Sequence, residues 1–146
     1  MYDKILIPVD GSEVSNHAVE EGLRLGKELH SKVILLHIVD VSLLSMPEAE
    51  TGVANFGPIR QSFMDIGKKL LAGFVTKAQE AGVAVETVLA EGDVHDEIIG
   101  RAKEKNADLI IMGTHGRRGL NRLILGSVAE SVARMAHCAV LLIRPQ

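Results

Sequence analysis

Short runs of aliphatic and β-branched residues alternate along the chain with stretches in which apolar positions recur every three or four residues. The runs occupy residues 5–9, 33–41, 83–89, 109–112 and 139–143, and their length and composition predict strands. In the first stretch between them, Ala18, Gly22, Leu25 and Leu29 fall on one helical face. In the second, Phe63, Ile66, Leu70, Phe74, Ala78 and Ala81 do the same, and Gly82 follows as a C-terminal stop. A third helix opens at Asp93 as N-cap, turns Val94, Ile98 and Ala102 inward, and ends near Asn106. A fourth begins at Ser127 with Glu130 three residues on, a capping-box spacing, and directs Val132 and either Met135 or Ala136 inward.

Five strands alternating with four helices predict an α/β protein built on one doubly wound parallel sheet, because parallel strands require crossovers and the helices then cover both faces. A run such as VILLHIV is near-continuously apolar, as a central strand buried on both faces should be. VAVETVLA alternates more and belongs nearer an edge. Residues 42–60, with Pro47, Gly52, Gly57 and Pro58, carry no clear period. Connections of that length are either lids or disordered segments, and both readings stand. There is no internal repeat.

Chemistry concentrates after the fourth strand, where Gly113, Gly116, Gly126 and Ser127 give the spacing G-x2-G-x9-G-S. Gly113 and Gly116 permit positive φ and close backbone approach, so successive N–H groups can converge on an anion. Gly126 and Ser127 open a helix, whose free N–H groups and dipole favour phosphate. The first strand supplies a second limb, running through Pro8 and Val9 into Asp10-Gly11-Ser12 and a helix start. In doubly wound sheets ligands sit beyond the carboxyl ends of strands where the strand order reverses. If strands one and four are neighbours there, Asp10 and Gly113 face one crevice that suits a phosphate-bearing ligand. The same glycines would also serve as plain turns, and Asp10 as a turn residue. No G-x4-G-K-[ST] loop occurs, and Gly113, Gly116 and Gly119 follow the fourth strand with the wrong spacing for a dinucleotide fingerprint.

The totals narrow the setting. A length of 146 residues predicts one domain spanning 1–146, and 47% hydrophobic content excludes a disordered chain. A net charge of −3 argues against coating nucleic acid or anionic membrane, so neither is an expected partner. One cysteine, Cys138, allows no internal disulfide, and the start MYDKILIPVD lacks a secretory pattern, so a cytoplasmic protein is expected. Of the six histidines only His115 lies in the glycine-rich segment, as a phosphate or water donor; His37, on a buried strand, reads as a satisfied core histidine. Arg117, Arg118 and Arg122 cluster there too, with Arg117 the first to meet phosphate charge. Cys138 reads as a small apolar filler.

ILIPVDGSE, GD-x4-II, ADLIIMGTHGRRGLNRLILGSVAESV and CAVLLIRP together resemble the universal stress protein family over nearly the whole chain. The long glycine motif is similar to that of the family's ATP-binding branch. The resemblance implies a Rossmann-like sheet of order 3-2-1-4-5. It implies that Pro8, the backbone of Val9 and the carboxylate of Asp10 serve adenosine, Asp10 near the ribose, with Ile38 and Met112 lining the adenine slot. Gly113, His115, Gly116, Arg117, Gly126, Ser127 and Val128 would surround the phosphates. Ala129 departs from the family pattern, standing where many nucleotide-binding members carry a hydroxyl. The function implied is an ATP-binding stress-response protein, nucleotide acting as a conformational or partner switch, with Mg²⁺ or Mn²⁺ bridging the phosphates. The final strand, at a sheet edge, predicts a homodimer through that strand, as the resemblance also does. No residues form a set that would activate water for fast hydrolysis, so no catalytic residue is assigned. Two alternatives remain: a dimeric scaffold or sensor holding AMP, a cyclic nucleotide or nothing, and an adenylate-transferring enzyme, whose H-x-G-H or S-G-G-x-D-S signatures are absent.

Overall fold

The computed structural model describes residues 1–42, 57–115 and 125–146. Strands and helices alternate among them: β1 (Lys4–Pro8), α1 (Glu13–Leu29), β2 (Lys32–Asp40), α2 (Gly57–Ala81), β3 (Val85–Gly92), α3 (Val94–Glu104), β4 (Leu109–Gly113), α4 (Ser127–Met135) and β5 (Ala139–Ile143). The strands form one sheet in the order β3-β2-β1-β4-β5, every pair parallel. The parallel sheet is the one that the sequence pattern predicts, and its strand order is the Rossmann-like one that the family resemblance implies. VAVETVLA lies in the edge region, as its alternation predicts.

The period of two in each strand divides the apolar side chains between two layers. Ile5, Ile7, Leu35 and Ile111 face α1 and α2, where Ala18, Val19, Leu71, Phe74 and Ala78 meet them. Leu6, Ile34, Leu36 and Ile110 face α3 and α4, where Ile98, Ala102, Ala129 and Val132 meet them. Central strands contribute to both layers, which is why their sequences are apolar without interruption. Each fully buried Ile, Leu or Val contributes about 1.5–3 kcal/mol relative to exposure.

The helix faces differ from the expected ones in an instructive way. On α1 the buried stripe is Val14, Ala18, Val19, Gly22, Leu23 and Gly26, and Leu29 is 42% exposed. A Cβ on Gly22 would stand 2.1 Å from Ile7 Cδ1, so glycine lets this helix lie directly on β1. On α2 the stripe is Gly67, Leu71, Phe74 and Ala78, and Ile66 is 52% exposed. The helix begins at Gly57, earlier than the first predicted apolar position, and Gly82 ends it with φ +74°. Val83 stays outside the strand because its N–H closes back onto the carbonyl of Ala78. Asp93 caps α3 as predicted, accepting from the N–H of Asp96 at 2.9 Å.

The capping box at α4 is not formed. Gly126 is the N-cap, with extended φ −60° and ψ 149°, and Ser127 is already the first helical residue. The reason lies upstream: the N–H of Gly126 donates to the carbonyl of Thr114 at 2.8 Å, which holds Gly126 extended. Glu130 instead pairs with Arg134 at 2.8 Å. Val132 and Ala136 turn inward, while Met135 is exposed.

Candidate functional site

β1 and β4 are neighbours, and the chain order reverses between them. Their carboxyl ends therefore bound the crevice where such folds take ligands. Three predicted residues share one sheet face there. Met112 belongs to the layer facing α3 and α4, Ile38 packs against it, and Pro8, two residues beyond Leu6, points the same way. They come from adjacent strands and lie together toward the carboxyl ends of the sheet.

The β1 limb is a tight turn held by side chains. The Asp10 carboxylate accepts from the N–H of Ser12 at 2.9 Å, Gly11 takes φ +82°, and Ser12 caps α1 by accepting from the N–H of Ser15 at 3.2 Å. Gly11 is the glycine whose left-handed φ the turn requires. Asp10 thus performs the turn role and lies half-buried at the mouth of the crevice. Val9 offers less than expected: its N–H donates to the carbonyl of Leu36 at 2.8 Å, and its carbonyl already accepts from His37 Nδ1 at 2.7 Å. One carbonyl lone pair is what its backbone keeps for any other group.

The β4 limb meets the start of α4. The N–H of Thr114 donates to the Ile143 carbonyl at 2.8 Å, while its own carbonyl accepts from Gly126. A Cβ on Gly126 would stand 2.7 Å from that Thr114 carbonyl oxygen and 3.5 Å from the Cα of His115, so only glycine fits. The requirement at Gly113 is also steric: it is not at positive φ, and a Cβ there would lie 2.8 Å from Val14 Cγ1 of α1. His115 Nδ1 shares a 2.9 Å hydrogen bond with the Thr114 hydroxyl. Its Nε2 is buried and has no hydrogen-bond partner among the described residues. Beside it, the first N–H groups of α4, on Ser127, Val128 and Ala129, have no carbonyl within their own helix to meet.

Gly116 and Arg117, and with them Arg118, Gly119 and Arg122, lie outside the described residues, as does most of the 42–60 connection. The other predicted residues, Pro8, Val9, Asp10, Ile38, Met112, Gly113, His115, Gly126, Ser127 and Val128, are brought to the carboxyl ends of β1, β2 and β4 and the start of α4. Ala129 is 2% exposed and packs in the core, so it turns no side chain to the crevice. Sequence reading missed His37 and Ser15 as neighbours of Asp10: the pairing of β1 with β2 brings His37 there, and the turn into α1 brings Ser15.

Shifted ionisations fall elsewhere. Hydrogen bonds from Lys105 and then Lys32 hold Glu86 below the usual carboxylate range, at the opposite end of the sheet. Burial, then the nearby charge of Asp108, pushes the Cys138 thiol up and keeps it neutral, in line with a filler role. A hollow of about 500 Å³ between α2 and β3, lined by Lys68, Leu71, Ala72, Val75, Thr87 and Leu89, contains none of the predicted site residues. Its lining offers one amine and one hydroxyl, whereas the crevice gathers N–H groups, a carboxylate and an imidazole.

A doubly wound parallel sheet whose strand order reverses between β1 and β4 defines the class: a Rossmann-like α/β protein. The chain belongs to the universal stress protein family, whose family model matches residues 1–144. It is 40% identical to the universal stress protein MJ0531 of Methanocaldococcus jannaschii, over 99% of this chain and 83% of that one. The solved structure of MJ0577 from the same organism superposes with a TM-score of 0.87 at 29% identity, covering 100% of this chain and 98% of that one. A family member from Arabidopsis thaliana, solved with AMP bound, gives a TM-score of 0.71 at 28% identity, covering 98% and 92%. No described helix is long and apolar enough to cross a membrane.

Proposed function

We propose that this protein holds ATP in the crevice and acts in stress response as a nucleotide-dependent regulatory module. Adenine would lie against Pro8, Ile38 and Met112, the ribose at Asp10, and the phosphates over Gly113, His115, Gly126, Ser127 and Val128, with Gly116 and Arg117 closing the set. The observation that carries this reading is the pairing, among the described residues, of a buried imidazole nitrogen without a partner at His115 with a start of α4 that no side chain caps. A buried polar atom without a partner is costly, and a phosphate oxygen would satisfy both features at once. The AMP-bound relative supports the adenosine limb.

A cation would bridge the phosphates. Among the described residues no three His, Cys, Asp or Glu side chains gather to hold a metal ion, so Mg²⁺ or Mn²⁺ would take its ligands from phosphate oxygens and water. The role proposed is holding and releasing nucleotide, with turnover no part of it. A second copy would cover the edge strand β5 and make a homodimer: among the described residues β5 is hydrogen-bonded on one side only, and none of its five residues is fully buried. Sedimentation at micromolar concentration should return a dimer mass; a monomer mass removes that part of the proposal.

Calorimetric titration with Mg-ATP and then AMP tests the site, beside Ser127→Glu. A carboxylate at the first position of α4 favours the helix dipole, so the variant should fold normally. It would oppose a triphosphate and weaken ATP by on the order of a hundredfold, with AMP little changed. Equal affinity for ATP and AMP would favour an adenosine sensor, and ATP binding unaffected by the variant would move the phosphates off α4.

A further inference from the structure

We propose that His37 is a positioning residue for the crevice: its imidazole fixes the peptide plane between Val9 and Asp10 and so sets how Asp10 meets a nucleotide. The inference rests on the nucleotide reading above for its consequence, but the geometry stands by itself. A peptide plane has two polar handles, and here both are taken by side chains from other elements. The Val9 carbonyl accepts from His37 Nδ1 of β2 at 2.7 Å, and the N–H of Asp10 reaches the Ser15 hydroxyl of α1 at 3.4 Å. Ser15 is itself buried, and its hydroxyl donates onward to the Ser12 carbonyl at 3.0 Å.

The place is one where the sheet no longer does this work. The last backbone bond from β2 to this limb runs between the N–H of Val9 and the carbonyl of Leu36. Past it the connection is made by the His37 ring. A carbonyl only accepts, so Nδ1 carries the proton, and the ring tautomer is set by the bond. The ring is also boxed in. A Cβ on Gly67 of α2 would lie 2.5 Å from His37 Cδ2 and 2.9 Å from Leu89 Cδ1, so the helix presses as closely as its backbone allows. A donor that cannot swing away is held ready before any ligand arrives, which is the condition for low reorganisation on binding.

The test compares His37→Phe, which fills the box without a donor, with His37→Asn, whose amide can place N–H near the Nδ1 position. Each is titrated with Mg-ATP, and the exchange rate of the Asp10 amide is followed by NMR. The expected result is an affinity about tenfold weaker in the phenylalanine variant, recovery to within about threefold in the asparagine variant, and faster Asp10 exchange in the first alone. Wild-type affinity and exchange in His37→Phe would overturn the proposal; so would an equal fall in both variants, which would assign the effect to packing. If wild-type protein binds no Mg-ATP, the nucleotide reading fails, while Asp10 exchange still decides the role of His37. If His37→Phe does not fold, the wild-type ring decides: a proton found on Nε2 alone would overturn the proposal, and one on Nδ1 protected from exchange would sustain it.

Discussion

The two ends of the sheet are built to opposite plans. At the amino ends of the strands the chain closes on itself. The Asp108 carboxylate accepts from the N–H groups of Asp3 at 2.9 Å and Lys4 at 3.1 Å, and Glu86 is clasped by Lys32 at 2.8 Å and by Lys105. Side chains there answer one another. At the carboxyl ends, glycines hold the backbone close, and among the described residues α4 has no side-chain cap and buried His115 Nε2 no partner. One end satisfies its polar groups internally and serves stability. The other leaves several of them without partners among the described residues, and that contrast supports the site proposed above.

The sharpest way to break the comparison is at Gly113, which sits at the carboxyl end yet is tight for a packing reason. A methyl there would meet Val14 Cγ1 at 2.8 Å and the His115 carbonyl at 3.2 Å. Gly113→Ala should therefore lower stability by about 1–3 kcal/mol through overpacking, read as a fall in the urea midpoint. If the variant keeps wild-type stability and loses nucleotide, the glycine serves close approach of a ligand after all, and the division between the ends is cleaner than the contact with Val14 implies.

The same tension explains how much of the molecule could be read from sequence. Fold class was legible because parallel central strands must be apolar on both faces, so the runs stand out regardless of detail. Helix faces were less so. A search for large apolar side chains passes over Gly26 and Gly67, although helices touch the sheet there as they do at Gly22. It then puts Leu29 and Ile66 inside, where they are not. Ser127 was read as a cap from its spacing to Glu130, but spacing carries no trace of the Gly126–Thr114 bond that moves the cap back one residue. The candidate site residues could be picked out because they cluster next to turns, and the fold brings the described ones to one end of the sheet. His37 was not, since its role depends on which strand lies beside β1.

A second substitution sharpens the comparison from the closed end. Asp108→Ala leaves the N–H groups of Asp3 and Lys4 without their acceptor. Two hydrogen bonds of a charged acceptor, one of them exposed, should together contribute about 1–2 kcal/mol, visible in chemical denaturation. Mg-ATP affinity should stay within about twofold, because the crevice is at the other end of every strand. A large loss of affinity would mean that the two ends are coupled through the sheet.

The smallest effect is expected at Glu86, and its pH dependence is what makes it worth measuring. Lys105 first, and Lys32 after it, hold the carboxyl below its ordinary value of 4.5 in the folded protein. A group depressed on folding adds stability that is fully present above the unfolded pKa and is lost as pH falls through the folded one. Glu86→Gln removes the charge at every pH. Its deficit relative to wild type should be under about 1 kcal/mol at pH 7, given how far water reaches these side chains. That deficit should hold to about pH 5 and close on further acidification, as wild-type Glu86 also becomes neutral. Melting both proteins across this range reads the difference directly. A deficit that persists unchanged at pH 3 would mean that the glutamate contributes by packing and hydrogen-bond geometry, and the closed end would then owe its stability to shape rather than charge.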